Sequence, residues 1–181
     1  KLLGVYDIFE VAMGADITSF KDAHEYAEKG ALMSSCCPSF VEYVTKQFPQ
    51  LVQYISVNPS PMVECAKLIK KQEQNSKVIF IGPCASKKNE ANLEAVKPFV
   101  DNVITFEELQ ALIDSRDIKV EELENTQIKS ASYFGRVFAR VGGVSEAVKN
   151  IIKEESLDIE PNIVCADGLD NIKIALLKNN K

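Results

Sequence analysis

The chain has 181 residues, 46% of them apolar and 26% charged, a composition typical of a folded globular protein and not of a disordered one. The net charge of -5 and the isoelectric point near 5.1 argue against a nucleic-acid partner, because phosphate contacts need clustered lysine and arginine. The longest apolar runs are far shorter than the roughly 20 residues that cross a bilayer, so we expect no association with a membrane.

Apolar runs rich in β-branched residues alternate with amphipathic helical patterns along the chain. We predict four strands, at residues 31–35, 77–81, 102–105 and 162–166. Strands that alternate with helices usually pair in parallel. The sequence therefore predicts the α/β fold class, with parallel sheets flanked by helices, and contains no repeat or linker that would divide residues 1–181 into separate domains.

Residues that start and stop helices support this order. Thr18 is placed to cap a first helix that ends at Gly30, and Pro38 suits the first turn of the second helix. Thr105 and Glu108 have the spacing of a capping box. We predict further helices at residues 61–72, 106–115, 144–153 and from 169 toward 178.

The five cysteines are an odd number in a chain that is large enough to fold without disulfides. This count indicates reduced thiols and a cytoplasmic protein. Cys65 lies within a helical pattern and Cys165 ends a predicted strand, so we expect both to pack in the core.

The other three cysteines follow predicted strands. Cys36 and Cys37 precede Pro38, and Cys84 follows the strand at residues 77–81. Thiolates delivered from two strand ends can ligate the iron of an iron–sulfur cluster, although small buried residues in turns would give the same pattern. Because adjacent residues at a strand end point to different sides, we expect Cys36 and Cys37 to have different tasks.

Charged residues near these turns have ordinary interpretations when each is taken alone. Asp22 and Glu25 are spaced i, i+3 on the first helix, so their carboxyl groups share a face and can pass a proton between them. The composition of the helix around them instead favours an acidic stripe that faces solvent. Lys87 shortly follows Cys84 and can donate hydrogen bonds to anionic ligands, whereas a lone lysine is typical of a solvated surface. His24 is the only histidine, which leaves little material for a triad or a zinc site.

Two segments carry these cysteines: Ser-Ser-Cys-Cys-Pro-Ser-Phe at residues 34–40 and Gly-Pro-Cys-Ala-Ser-Lys-Lys-Asn-Glu at residues 82–90. Together they resemble the first two signatures of the catalytic domain of iron-only (FeFe) hydrogenases, whose usual forms are T-S-C-C-P-x-W and M-P-C-x-x-K-x-x-E. The likeness continues through residues 9–16, 138–144 and 166–171. It covers essentially the whole chain, in the family's order.

The resemblance implies a domain of two intertwined lobes that binds a hydrogen cluster (H-cluster). In the family, this cofactor is a four-iron, four-sulfur (4Fe-4S) cubane joined through cysteine to a two-iron subsite, and its chemistry is reversible formation of hydrogen from two protons and two electrons. By resemblance, Cys37 and Cys84 are cubane ligands and Cys36 is the thiol that exchanges protons with the bridging dithiolate amine. Lys87 becomes a hydrogen-bond donor to a cyanide of the subsite.

The family's proton path runs through a serine and two acids, which by position correspond to Ser56, Glu25 and Asp22. Asp22 is a shorter carboxylate than the family's glutamate, which reduces its reach. Glu90 matches the acid that closes the second signature, and Ser60 matches a polar residue near the dithiolate.

The cofactor-binding positions Gly82 and Pro83 immediately precede Cys84, and here the chain departs from the family. Gly82 replaces a methionine that packs against the two-iron subsite, and Phe40 replaces a tryptophan. Loss of a large polarizable side chain predicts a looser pocket, a kind of change found in divergent, sensory members of the family.

The family's third signature, a C-P-x-G-C-type segment that completes the cubane, would come after the end of this chain at Lys181. The chain alone is therefore expected to offer two of the four cubane thiolates and to hold an incomplete cluster or none. The resemblance implies that its partners are the remaining parts of its own chain and a ferredoxin-like or other electron carrier.

Other functions are compatible with parts of the pattern. Hydrogenase-like proteins of cytosolic iron–sulfur assembly share the fold but typically have one cysteine in the first signature, so the Cys36-Cys37 pair favours a hydrogenase. A sensory module that binds the cluster is a second alternative, based on Gly82. An α/β domain with unligated thiols is a third.

Overall fold

The computed structural model describes residues 2–178. Helices α1–α8 and strands β1 and β2 follow one another in the order α1 (Ala12–Lys29), α2 (Pro38–Gln47), α3 (Pro61–Gln72), β1 (Ile79–Ile81), α4 (Ser86–Ala91), β2 (Asn102–Ile104), α5 (Phe106–Asp114), α6 (Tyr133–Val137), α7 (Gly143–Glu154) and α8 (Leu169–Lys178), with 3-10 turns at Pro49–Tyr54 and Val120–Glu122. Within this range no helix is long and apolar enough to cross a membrane.

The sheet consists of two parallel strands joined by a crossover through α4, which confirms the predicted α/β class. The register pairs Ile79 with Asn102, Phe80 with Val103 and Ile81 with Ile104. Apolar side chains of α3 and of residues 91–103 pack around the strands, and the buried members of this cluster are Met62, Val63, Ala66, Val78, Val96, Val100 and Val103.

Two of the four predicted strands are not formed as predicted. In residues 31–35 only Met33 pairs, through an isolated parallel bridge to Ile55. Residues 162–166 form no strand, and Val164 and Cys165 are exposed. The predictions of a strand there and of core packing for Cys165 are therefore wrong, because this apolar run has no partner strand among residues 2–178.

Helix α1 begins well before the predicted cap at Thr18. Thr18 lies inside the helix, is fully buried, and donates its hydroxyl to the Pro59 carbonyl oxygen at 3.1 Å. The cap prediction is therefore wrong, because the hydroxyl satisfies a loop carbonyl and not the helix terminus. The predicted end is confirmed: Gly30 has the left-handed φ of 72° that ends many helices.

The other helix signals agree with the structure. Pro38 opens α2, α3 covers the predicted residues 61–72, and the Thr105 hydroxyl accepts from the Glu108 N–H in a complete capping box. Cys65 is buried in α3 as predicted.

Helix α1 is the centre of the fold, since α3 packs on one side of it and α6 and α7 pack on others. Gly14 brings α1 against α3: a Cβ added at Gly14 would lie 2.0 Å from the Pro61 carbonyl oxygen and 2.8 Å from the Cys65 nitrogen. The close approach of these backbones therefore depends on the missing side chain.

Acidic side chains near the start of α1 hold α6 in place. Glu10 accepts from the Arg136 guanidinium at 2.8 and 3.0 Å and from the Ser130 N–H at 2.8 Å. The hydrogen bond from Arg136 and that from the Ser130 backbone lower the pKa of Glu10 to about 2. Asp16 accepts from the N–H and the hydroxyl of Ser132. Ala15 and Phe138 belong to one buried cluster, so the segments resembling the family at residues 9–16 and 138–144 come together.

Replacing Gly14 with alanine separates helix propensity from packing. Propensity alone would make Gly14→Ala stabilising by about 1 kcal/mol, whereas the contact with Pro61 predicts a loss of roughly 1–3 kcal/mol from overpacking. Urea unfolding followed by circular dichroism measures the difference, with Glu28→Ala on the exposed part of α1 as a control. A Gly14→Ala chain more stable than the original would contradict the packing.

Candidate functional site

The first cysteine turn lies between the Met33 bridge and α2. Cys37 has extended backbone angles immediately before Pro38 and is exposed, while Cys36 is partly buried and its N–H lies 3.4 Å from the Ser34 hydroxyl oxygen. Burial raises the pKa of the Cys36 thiol more than Ser34 and the charge of Lys87 lower it. The two adjacent cysteines thus differ: Cys36 is a protonated thiol at neutral pH, and Cys37 is accessible.

The second cysteine turn connects β1 to α4. Cys84 is exposed, and its Sγ lies 2.9 Å from the Ser86 Oγ. Hydrogen bonds from the Ser86 side chain and backbone, together with the charge of Lys87, lower the pKa of the Cys84 thiol. Thiolate is the form that ligates metals, so this environment favours ligation by Cys84. Pro83 lies before it and is exposed.

Lys87 joins the two turns. Its Nζ donates to the Cys36 carbonyl oxygen at 2.9 Å and to Glu90 Oε2 at 2.6 Å, and its side chain is only 14% exposed. The interpretation of Lys87 as a solvated surface lysine is therefore wrong. Glu90 is also buried and holds the Lys87 ammonium group, whose hydrogen bond to the Cys36 carbonyl oxygen links the second motif to the first.

Gly82 is buried, and the aromatic ring of Phe80 lies against it. A Cβ at Gly82 would lie 2.5 Å from the nearest ring carbon of Phe80. The sequence predicts a looser pocket at Gly82. In the structure an aromatic side chain from β1 occupies space beside this glycine.

Asp22 and Glu25 are buried, with 1% and 8% of their surface exposed. The interpretation of these acids as a solvent-facing stripe is therefore wrong. Helix α1 turns them toward the loop that follows the first 3-10 turn and the Met33–Ile55 bridge, where Ser56 is also buried. Ser56 Oγ lies 2.6 Å from Asp22 Oδ1 and 2.9 Å from Glu25 Oε2. The Asn58 side-chain nitrogen donates to the same two oxygens, at 2.9 and 2.8 Å. We call these four residues the acid cluster.

The Ser56 hydroxyl has one proton to donate and can accept two. It already accepts from the Asn58 N–H at 3.1 Å, and two carboxyl oxygens face it. If both acids were ionised, Ser56 could donate its single proton to only one of the two carboxyl oxygens, and no hydrogen bond would join it to the other. If one carboxyl group is protonated, it donates to Ser56 while Ser56 donates to the other, and every contact is satisfied.

The surroundings of the two acids indicate where that proton lies. Burial and the neighbouring charge of Glu25 raise the pKa of Asp22, and its hydrogen bonds from Ser56 and Asn58 only partly oppose this. Burial acts on Glu25 in the same sense, but hydrogen bonds from Lys29, Ser56 and the Val57 N–H outweigh it and lower the pKa. Asp22 is therefore the protonated member and Glu25 the ionised one.

A cavity of about 130 Å³ connects the acid cluster to the first cysteine turn. Asp22, Tyr26, Ser34 and Ser145 contribute polar groups to its lining. This volume is enough for a few waters, each of which needs about 30 Å³. Because the Ser34 hydroxyl also contacts the Cys36 N–H, the cavity extends from the Asp22 carboxyl group to a direct neighbour of Cys36.

Ser60 lies at the N-terminus of α3 and is 3% exposed. Its Oγ has no hydrogen-bond partner within residues 2–178, although buried hydroxyls are normally paired. A buried hydroxyl able to donate and a nearby pair of motif thiols fit a polar, sulfur-ligated cofactor.

The structure thus brings the predicted proton-path residues together around Ser56, and links the two cysteine motifs through Lys87. Two members of the site had no signal in the sequence. Asn58 is a loop residue outside any motif. Lys29 is a lysine at the end of a helix, and the structure places its Nζ 2.5 Å from Glu25 Oε1. Only the i, i+4 spacing of Glu25 and Lys29 could have indicated the ion pair.

The family described as "Iron only hydrogenase large subunit, C-terminal domain" matches residues 1–180. Iron hydrogenase 1 of Clostridium pasteurianum is 30% identical over 208 residues, which cover 99% of this chain and 36% of that protein. The cytosolic Fe-S cluster assembly factor NAR1 of Kluyveromyces lactis is 34% identical over 90 residues, which cover 50% of this chain and 19% of that protein.

The fold is similar to solved hydrogenase structures. A variant of the apo [FeFe]-hydrogenase HydA1 from Chlamydomonas reinhardtii aligns with a TM-score of 0.70 at 23% identity, over 92% of this chain and 49% of that chain. The chain spans about a third of the length of the first curated hydrogenases that it matches.

The protonation of the acid cluster predicts opposite effects of two isosteric substitutions. A raised folded-state pKa gives stability that is present at low pH and lost as pH rises through that pKa. Asp22→Asn should therefore leave stability at pH 7 unchanged or raise it by about 1 kcal/mol, with the difference shrinking toward pH 4. Urea unfolding between pH 4 and 8 measures this.

Glu25→Gln should lower stability at pH 7 by about 1 kcal/mol, because a lowered folded-state pKa gives stability that is present above the unfolded value and lost on acidification. Glu28→Gln, an exposed position on the same helix, serves as the control. A large loss of stability in Asp22→Asn at pH 7, of the size expected for an ionised and paired acid, would show that Asp22 is not the protonated member of the pair.

Proposed function

Because the chain belongs to the family of the C-terminal domain of the iron-only hydrogenase large subunit, we propose that it builds part of the H-cluster site of an FeFe hydrogenase. Such an enzyme is an oxidoreductase that interconverts hydrogen with protons and electrons. The observation that carries the proposal is the buried acid cluster, whose Asp22 shares a cavity with Ser34 in the turn that carries Cys36.

The two cysteine turns supply the cofactor-binding side of the proposal. Cys37 and Cys84 are accessible thiols on turns that Lys87 ties together, and they would provide two of the four cubane thiolates. Within residues 2–178 no group of three or more His, Cys, Asp or Glu side chains is arranged to hold a metal ion. We assign the remaining ligands to other parts of the same protein. When bound, the H-cluster supplies the redox chemistry.

The chain's own residues move and hold protons. In this proposal the neutral Cys36 thiol would exchange protons with the cofactor, and water in the cavity between Ser34 and Asp22 would carry them to the acid cluster. Asp22 gives its proton to Ser56, which passes its own to Glu25. Lys29, 37% exposed, lies 2.5 Å from Glu25 and ends the path near solvent. The transfers from Asp22 to Ser56 and from Ser56 to Glu25 are within hydrogen-bond reach, as general acid–base chemistry requires.

Lys87 has a positioning role in this proposal. Its ammonium group is mostly buried and is fixed by Glu90 and the Cys36 carbonyl oxygen. One of its three donors is left for an anionic ligand of the cofactor. Ser60, with its buried hydroxyl, would donate from α3.

The partners and location follow from the same proposal. An electron carrier, such as a ferredoxin-like protein, would exchange electrons with the cluster. All five cysteines are free thiols, which supports a reducing compartment such as the cytoplasm.

Iron–sulfur cluster assembly is the second candidate function, since the similarity to NAR1 extends over half of the chain. A factor that only carries a cluster has no use for a proton path. The buried acid cluster beside Cys36 therefore favours a hydrogenase.

Substitution of Cys36 in the complete protein that contains this chain separates the two functions. Cys36→Ala should lower hydrogen evolution from reduced viologen by about 10²–10⁴-fold, because a proton-transfer group is lost. Iron and sulfide content should stay at the original level, since Cys36 is not assigned as a ligand. Cys165→Ala, at an exposed cysteine, is the matched control and should have no effect.

A Cys36→Ala protein that evolves hydrogen at the original rate would contradict the assignment of Cys36. A complete protein that binds its iron but evolves no hydrogen in its unaltered form would favour cluster assembly.

A further inference from the structure

We propose that Asn58 is a positioning residue of the proton path, whose side-chain amide holds the carboxyl groups of Asp22 and Glu25 on either side of the Ser56 hydroxyl. The role in proton transfer rests on the proposed function. The amide also sets how firmly Asp22 holds its proton, and this can be measured without any cofactor.

The geometry places Asn58 in a closed ring of hydrogen bonds. Asn58 Nδ2 lies 2.9 Å from Asp22 Oδ1 and 2.8 Å from Glu25 Oε2. These are the same two oxygens that contact Ser56 Oγ. A primary amide nitrogen has two N–H donors, so each carboxyl oxygen receives one. Ser56 alone could not supply both acids with a donor.

The backbone of Asn58 holds this amide in place. The Asn58 N–H donates to Ser56 Oγ at 3.1 Å, and its carbonyl oxygen accepts from the Ser35 hydroxyl at 2.8 Å. Ser35 directly precedes Cys36. Asn58 therefore connects the acid cluster to the first cysteine turn through its main chain, while its side chain spans the two acids.

The shorter reach of Asp22 makes this arrangement useful. The Ser56 hydroxyl and the Asn58 amide are the hydrogen-bond partners of the Asp22 carboxyl group, and the amide donates to it in both protonation states. Hydrogen bonds to a charged group are stronger than those to a neutral group and favour ionisation. The amide thereby offsets part of the burial that disfavours the anion, so that Asp22 can release its proton to Ser56.

Several charged or titratable groups surround Asp22. The charge of Glu25 acts on Asp22, and the charge of Asp22 acts on the Cys36 thiol. Lys29 acts through Glu25, and Tyr26 lines the same cavity. Substitution of Asn58 leaves all of these side chains in place. A change in the titration of Asp22 in such variants therefore reports the loss of the amide.

The test is the titration of Asp22 in the 181-residue chain. Infrared spectroscopy of protein labelled with ¹³C at the aspartate side-chain carboxyl follows protonated and ionised aspartate, and Asp22→Asn identifies the band of Asp22. The variants are Asn58→Ala, which removes the amide and its volume, and Asn58→Leu, which keeps a similar volume without donors. Asn75→Ala, in an exposed turn, is the control.

Both Asn58 variants should raise the titration midpoint of Asp22 by about one pH unit, since one charged hydrogen bond is lost, while Asn75→Ala leaves it unchanged. An unchanged midpoint in Asn58→Leu would overturn the inference, because the residue would then only fill space. If Asn58→Ala does not fold, the isosteric variant still decides the question.

The outcome is separable from that of the proposed function. In the complete protein, Asn58→Leu should move the pH dependence of hydrogen evolution in the same direction as the Asp22 midpoint. A raised midpoint in a protein that evolves no hydrogen would overturn the proposed function and leave the effect of Asn58 on Asp22 in place.

Discussion

A single serine hydroxyl between two buried carboxyl groups is the interaction on which the site depends. Ser56 can donate only one proton, yet Asp22 and Glu25 both lie within hydrogen-bond distance of it. The arrangement is satisfied only when one acid is protonated, and the ion pair with Lys29 assigns the negative charge to Glu25. A buried pair of like charges would otherwise be costly. The cluster therefore holds one mobile proton in a defined place.

The fold brings this hydroxyl to the cysteine turn through the main chain. The Met33 N–H donates to the Tyr54 carbonyl oxygen at 2.7 Å, and the Ser56 N–H donates to the Met33 carbonyl oxygen at 2.8 Å. This short parallel bridge aligns the segment that leads to Cys36 with the segment that carries Ser56. Helix α1 brings in the two acids, and its close packing at Gly14 holds it against α3. Few residues thus set the distances of the whole path.

The chemistry-bearing residues could be found in the sequence, but their surroundings could not. The motif positions Cys36, Cys84 and Lys87 follow from the local pattern, and local signals also located α2, α3 and α5. Whether Asp22 and Glu25 face solvent depends on elements distant in sequence, and the composition of α1 favoured the wrong answer. The same reason explains residues 162–166, where an apolar run resembles a strand but has no partner strand among the residues that the structure describes. Asn58 has its role only because its loop passes over α1.

The most direct test of the account is the hydrogen evolution of the complete protein with Ser56 changed, measured at equal iron content. Ser56→Thr keeps a hydroxyl between the two acids, whereas Ser56→Ala removes the hydroxyl that passes a proton from one to the other. The account predicts that Ser56→Ala loses about 10²–10⁴-fold in rate while Ser56→Thr keeps most of it. Equal rates in Ser56→Ala and the unaltered protein would contradict a proton path through this serine.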